Sequence, residues 1–327
     1  MSLVSKLICF ASAALLAAVS LVSCGSAPAN TDGSDKLNII CTDFSEYDWT
    51  RAISEGAADT EVRYLLENGT DIHNYQPSVQ DMLEIADCDL FIYVGGESES
   101  WVDDALKNSS GSGRRVLRLF DVLGQSVKTE ELKYVMEDHE GGSHNDSGSG
   151  YDEHIWLSLR NADTICVSIC DALCGLDPAS SEIYRSNLDK YRAELRALDE
   201  EYRTVSDGTD SRTLIFGDRF PFRYLADDYG FDYYAAFPGC SAETEASFDT
   251  IARLSEKLNE LELDTVFIIE NSDDSIARSV IANSGNTSAG IETLDSIQSV
   301  SRDDIGKGAS YISIMRKNLE TLKKVLY

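Results

Sequence analysis

Short apolar runs alternate with amphipathic segments along this chain in two separate sets, and one long periodic segment lies between them. In the first set, residues 37–42, 61–66, 90–94 and 115–120 read as strands, with helices over 48–56, 79–86 and 101–107. Val79, Met82, Leu83 and Ala86 fall on one face of the second helix. A further helix is expected over 161–174. The second set repeats the pattern, with strands over 213–216, 232–237 and 265–269. Its helices are expected over 222–229, 248–258, 275–284 and 311–326. Between the sets, Pro178 and the spacing of Ile183, Leu188, Tyr191, Leu195, Leu198 and Tyr202 predict one helix over 177–204. At ~1.5 Å per residue it extends roughly 40 Å. The pattern predicts an α/β chain: two doubly wound lobes of mainly parallel sheet joined by one long helix. Functional groups then gather beyond the carboxyl ends of the strands. The expected layout is a first lobe over 37–176, the linking helix over 177–204 and a second lobe over 205–327.

The N-terminus directs the chain out of the cytoplasm. Lys6 is followed by an apolar run over 7–19 that is too short for a comfortable membrane span. Leu21-Val22-Ser23-Cys24 resembles the lipobox of bacterial lipoproteins, which implies a signal peptide over 1–23 and a lipid on Cys24. Residues 25–36, rich in Ser, Gly, Ala and Asp, then read as a tether. The expected location is the outer face of the cell membrane, held by lipid. A formal net charge of −29 excludes nucleic acid as a partner, since phosphates demand Lys and Arg. The same surface concentrates cations without naming one. No Gly-x-x-x-x-Gly-Lys-Ser/Thr run is present to bind ATP.

Only four histidines occur, so their placement is informative. His73 lies in Asp71-Ile72-His73-Asn74-Tyr75-Gln76-Pro77, and His154 in Asp152-Glu153-His154-Ile155-Trp156. His139 and His144 occupy an acidic Gly/Ser-rich loop over 137–150. Neutral imidazole suits zinc and other first-row divalent ions. Of the cysteines, Cys166, Cys170 and Cys174 share one helix face and read as small buried hydrophobes. Cys41 and Cys88 are the pair that a disulfide would join, and Cys240 stands alone.

The stretch Gly69 to Ser78, followed by 81–86, 89–96 and Glu99-Ser100-Trp101, resembles the metal-binding class of solute-binding lipoproteins of bacterial ABC transporters. The resemblance covers nearly all of 37–327. It implies a Gly-x-Asp-x-His-x-Tyr-x-Pro run supplying the first ligand, His73. A histidine-bearing acidic loop follows, and an Asp-x-His-x-Trp run supplies the second ligand, His154. The family usually offers His, sometimes Glu, as a third ligand after the first strand of the second lobe. Here Leu214-Ile215-Phe216-Gly217-Asp218-Arg219-Phe220-Pro221-Phe222-Arg223-Tyr224 fills that place. Counting forward from the strand reaches Asp218, whereas counting back from Phe222-Arg223-Tyr224 reaches Arg219. A cation does not ligate a cation, so Asp218 is the expected ligand. Glu243 and Glu245 stand behind it as oxygen donors and Cys240 as a sulfur donor. Thr293-Leu294-Asp295-Ser296-Ile297 resembles the family's late Leu-Asp run and implies Asp295 as the fourth ligand. Glu270, closing a strand, is expected near the metal or behind its ligands.

Two imidazoles and two carboxylates make a mixed site for which zinc is the expected ion, with manganese next. The resemblance implies capture of the ion in the inter-lobe cleft and delivery to a permease and its ATPase. His139 and His144 are accessory collectors in that reading, and the protein is a monomer and not an enzyme. A surface adhesin carrying a structural metal is the alternative. A zinc hydrolase is the more remote one: no His-Glu-x-x-His run occurs, and four protein ligands leave no place for a reacting water.

Overall fold

In the computed structural model, the residues described are 36–107, 113–130, 150–241 and 245–327. The first half runs β1 (Leu37–Cys41), α1 (Phe44–Ser54), β2 (Thr60–Tyr64), α2 (Val79–Asp87), β3 (Leu90–Tyr93), α3 (Val102–Lys107), β4 (Arg115–Arg118), α4 (Leu119–Leu123) and α5 (Leu159–Leu176). The linking helix α6 (Ser181–Asp207) follows, entered through a short 3-10 turn at Pro178–Ser180. The second half runs β5 (Thr213–Phe220), α7 (Arg223–Tyr229), β6 (Asp232–Pro238), α8 (Phe248–Glu260), β7 (Thr265–Ile269), α9 (Ser275–Ser284), β8 (Gly290–Leu294), α10 (Arg302–Gly306) and α11 (Tyr311–Leu326).

Each half builds one four-stranded parallel sheet, with order β2-β1-β3-β4 in the first and β6-β5-β7-β8 in the second. In each sheet the chain reverses its direction of winding at the opening strand. Crevices therefore lie beyond the carboxyl ends of β1 and β3, and of β5 and β7. The expected pair of doubly wound halves joined by a long helix is present.

Three details differ from the expectation. Residues 119 and 120 begin α4 rather than ending a strand. β8 was not expected; it is a short edge strand with only Leu294 fully buried. The register of β5 against β6 shifts between Phe216 and Arg219, so the strand bulges at Gly217-Asp218. Gly217 is required there, because a Cβ would meet Ala277 Cα of α9 at 2.6 Å.

α6 buries Tyr184, Leu188, Tyr191, Leu195, Leu198, Tyr202 and Val205 along one face. One continuous apolar core runs from Ile39 and Trp49 through this face to Phe216, Leu294 and Tyr311. Residues Leu37–Tyr327 accordingly form a single compact unit. Cys41 and Cys88 are both free: the Cys41 thiol donates to Thr50 Oγ1 at 3.8 Å and the Cys88 thiol to Ile85 O at 3.3 Å. Cys166 and Cys170 are buried on α5, in line with the reading as small hydrophobes. Among the described residues, no helix is long and apolar enough to cross a membrane.

Candidate metal centre

The loop after β2 carries His73. Asp71 caps a short turn, its Oδ1 accepting from His73 N at 3.0 Å, while its Oδ2 accepts from Arg219 Nη2 at 2.8 Å. His73 Nδ1 lies 2.6 Å from Ser98 Oγ, in the segment beyond β3. Burial, with His154 behind it, pushes the His73 imidazole down to about 3, which keeps it neutral.

His154 is fully buried where the chain re-enters the first half ahead of α5. Asp152 Oδ1 accepts from both His154 N and His154 Nδ1, each at 2.9 Å. Burial alone would lower this imidazole; the Asp152 charge and hydrogen bond, with Glu153, outweigh it and hold it above its ordinary value. A carboxylate on Nδ1 fixes the tautomer and turns the Nε2 lone pair outward.

The two Nε2 atoms then face one another at 3.2 Å. Two zinc–nitrogen bonds of ~2.0–2.1 Å at a tetrahedral angle hold their nitrogens about 3.3–3.4 Å apart, so the pair is spaced to share one ion. Among the described residues, one set of three donors comes together: His73, His154 and Cys240, whose ligand atoms all lie within 4.8 Å of one another. Cys240 follows β6. Its N–H donates to Glu130 Oε1 at 2.9 Å, and burial, with Glu130 and Glu153 adding to it, pushes its thiol far up. Gly239 makes the approach close: a Cβ there would meet His154 Cε1 at 2.8 Å and Phe220 O at 2.9 Å. Beside the donors opens a cleft of about 620 Å³, lined by Asp71, Arg219, Phe237, Ser241 and Glu270 among others.

The expected carboxylates are placed otherwise. At the β5 bulge, Asp218 is buried with Oδ1 accepting from Arg219 N at 2.7 Å and Oδ2 from Ile269 N at 3.1 Å. It clasps β5 to β7 and does not join the imidazoles. Arg219 pairs with Asp71. Asp295 Oδ1 accepts from Ile297 N at 2.8 Å, closing a turn in which Ile297 has a φ of 68°. Glu270 accepts from Ser296 N and Ser296 Oγ, each at 2.7 Å, and from Ser299 Oγ at 3.2 Å, so it holds the loop after β8. Neither Asp295 nor Glu270 is brought into ligand spacing with the histidines. Cys24, His139, His144 and Glu243 lie outside the described residues.

A sequence reading had no ground for ranking Cys240 first, since nothing local ties Gly239-Cys240 to residues 73 and 154. Ser98 and Glu130 were likewise not singled out. Their only signal was position, Ser98 just beyond a strand end and Glu130 in a polar connection.

Residues 39–325 match the family model described as ZnuA, zinc-uptake complex component A, periplasmic. The zinc-binding lipoprotein AdcA of Streptococcus pneumoniae serotype 4 is 30% identical over 313 residues, covering 95% of this chain and 59% of AdcA. The chain thus spans somewhat over half the length of the streptococcal relatives it matches. The high-affinity zinc uptake system protein ZnuA of Bacillus subtilis is 29% identical, covering 94% of this chain and 93% of that protein. The crystal structure of the Zn(II)-bound ZnuA-like domain of S. pneumoniae AdcA superposes with a TM-score of 0.69 at 26% identity, over 89% of this chain and 99% of that one.

Proposed function

The chain belongs to the ZnuA family of zinc-uptake components, which are binding proteins rather than enzymes, and on that premise we propose that it captures zinc outside the cytoplasm for an ABC permease and its ATPase. The observation that carries this reading is the pair of facing imidazole nitrogens, 3.2 Å apart, each with its Nδ1 engaged by a partner. Metal binding needs a free lone pair on both Nε2 atoms, so any proton held between the two rings must leave. The cation replaces that proton, so capture releases it and affinity falls as pH drops. The acidic surface raises the local concentration of cations around the cleft.

The lipid on Cys24 holds the binding body at the membrane beside the permease, and the body works as a monomer. Loop histidines His139 and His144 collect ions loosely and pass them to the cleft. Zinc is the preferred cargo and manganese the weaker one, because imidazole donors favour zinc at equal supply. Elemental analysis after exposure to equal zinc and manganese tests the reading. Wild type is expected to retain one zinc ion, and His73→Ala and His154→Ala none. Retention by both variants, or a tight preference for manganese, would overturn it.

A further inference from the structure

From the second half of the chain, among the described His, Cys, Asp and Glu residues, one brings a donor atom to both imidazoles: Cys240. Resting on the metal-capture reading above, we propose that Cys240 Sγ is the third protein ligand, so that the cargo ion is held by two nitrogens and one sulfur.

Three independent placements lead there. Arg219 lies against His73's own loop through its pair with Asp71 Oδ2, and a guanidinium in that place offers no lone pair to a metal. The neighbouring carboxylate, Asp218, is turned away by the β5 bulge and held by the amides of Arg219 and Ile269. The end of β6, in contrast, is pulled onto His154 across a glycine that permits no side chain, and Glu130 fixes the Cys240 amide. The position after that glycine therefore comes within 4.8 Å of both ring nitrogens.

Ligation is a simple exchange. The metal–sulfur bond forms as the S–H bond of Cys240 breaks, its proton leaves to solvent, and no electron changes hands. The consequence is selectivity. A thiolate beside two imidazoles suits zinc and softer ions, and disfavours manganese, which is better served by carboxylate oxygens.

Cobalt(II) is the probe, titrated into the full-length chain kept reduced, with wild type compared to Cys240→Ser. The other cysteines remain in the variant, so any change reports on position 240. Wild type is expected to bind one cobalt and show a near-ultraviolet sulfur-to-cobalt charge-transfer band. Cys240→Ser is expected to keep the visible ligand-field bands, lose the charge-transfer band, and bind zinc more weakly by over tenfold while its manganese affinity changes far less. A wild-type complex without the charge-transfer band, or a variant that retains it, would overturn cysteine ligation and leave metal capture standing. A wild type that takes up neither cobalt nor zinc would overturn both.

Discussion

Asp152 Oδ1 receives both the amide and the ring Nδ1–H of His154, and through that one oxygen the fully buried ring is aimed. Outer partners of metal-bound histidines are commonly worth about 10–100-fold in affinity. Asp152→Ala should lose zinc affinity in that range, measured by competition with a chromophoric chelator, and an unchanged affinity would deny Asp152 its orienting role. Asp218 has the opposite profile. Its two oxygens satisfy two backbone N–H groups inside the second half, so Asp218→Ala should destabilise the fold by about 1–3 kcal/mol in urea unfolding. Its zinc stoichiometry should stay at wild type; loss of zinc with unaltered stability would instead make it a ligand. The histidines were legible in the sequence because each sits among neighbours that cap or orient it locally, Asp71 before His73 and Asp152 before His154. Cys240 was legible only as a fallback sulfur donor, because its relation to them exists only after β6 is laid beside β5 and Gly239 is pressed on His154.

Strands and helices with a continuous apolar run or a clear helical period were readable to within a few residues, α9 and α11 to the residue. β8 escaped because Gly290-Ile-Glu-Thr-Leu294 is an edge strand whose pattern is half exposed, and its identity comes from pairing with β7. The β5 bulge escaped for a related reason: a one-residue slip has no composition of its own, yet it redirects the side chains that follow. A third feature emerges where β1 and β3 end. Asp43, Glu46 and Glu99 are buried together, and Thr42 Oγ1 contacts both Glu46 Oε2 and Glu99 Oε1. One hydroxyl proton shared between two buried carboxylates favours a proton on one of the acids. Burial, with Glu153 and Asp43 adding to it against the Gly95 amide and Thr42, pushes Glu99 up to about 8, and burial pushes Asp43 up to about 6 and raises Glu46 as well. The native state therefore binds more protons than the unfolded chain between the ordinary carboxyl range and pH about 8, and stability falls as pH rises through that window. Glu99→Gln should flatten the fall, seen as a smaller drop in melting temperature between pH 5.5 and 8.5 for chelator-treated protein than in wild type. Equal drops would place the titration elsewhere.

Both halves of the chain converge on the segment carrying His154. Trp156 Nε1 donates to Ser296 O at 2.8 Å, Tyr224 OH to Asp152 O at 2.9 Å, and Tyr311 OH to Trp156 O at 2.6 Å. With α6 and the shared core behind them, these contacts place the cleft within one compact unit. An ion bound by the folded unit and not by the unfolded chain stabilises it by mass action, about 2.7 kcal/mol when free zinc is 100 times its dissociation constant. The melting temperature should therefore rise with zinc in wild type and stay fixed in His154→Ala; an equal rise in both would put the stabilising ion elsewhere. The most direct test of the whole account is zinc K-edge X-ray absorption on wild-type protein loaded with one equivalent of zinc. The spectrum should show imidazole scattering with nitrogens at ~2.0–2.1 Å and one sulfur at ~2.3 Å. A shell of oxygens without imidazole scattering would contradict the account at its centre.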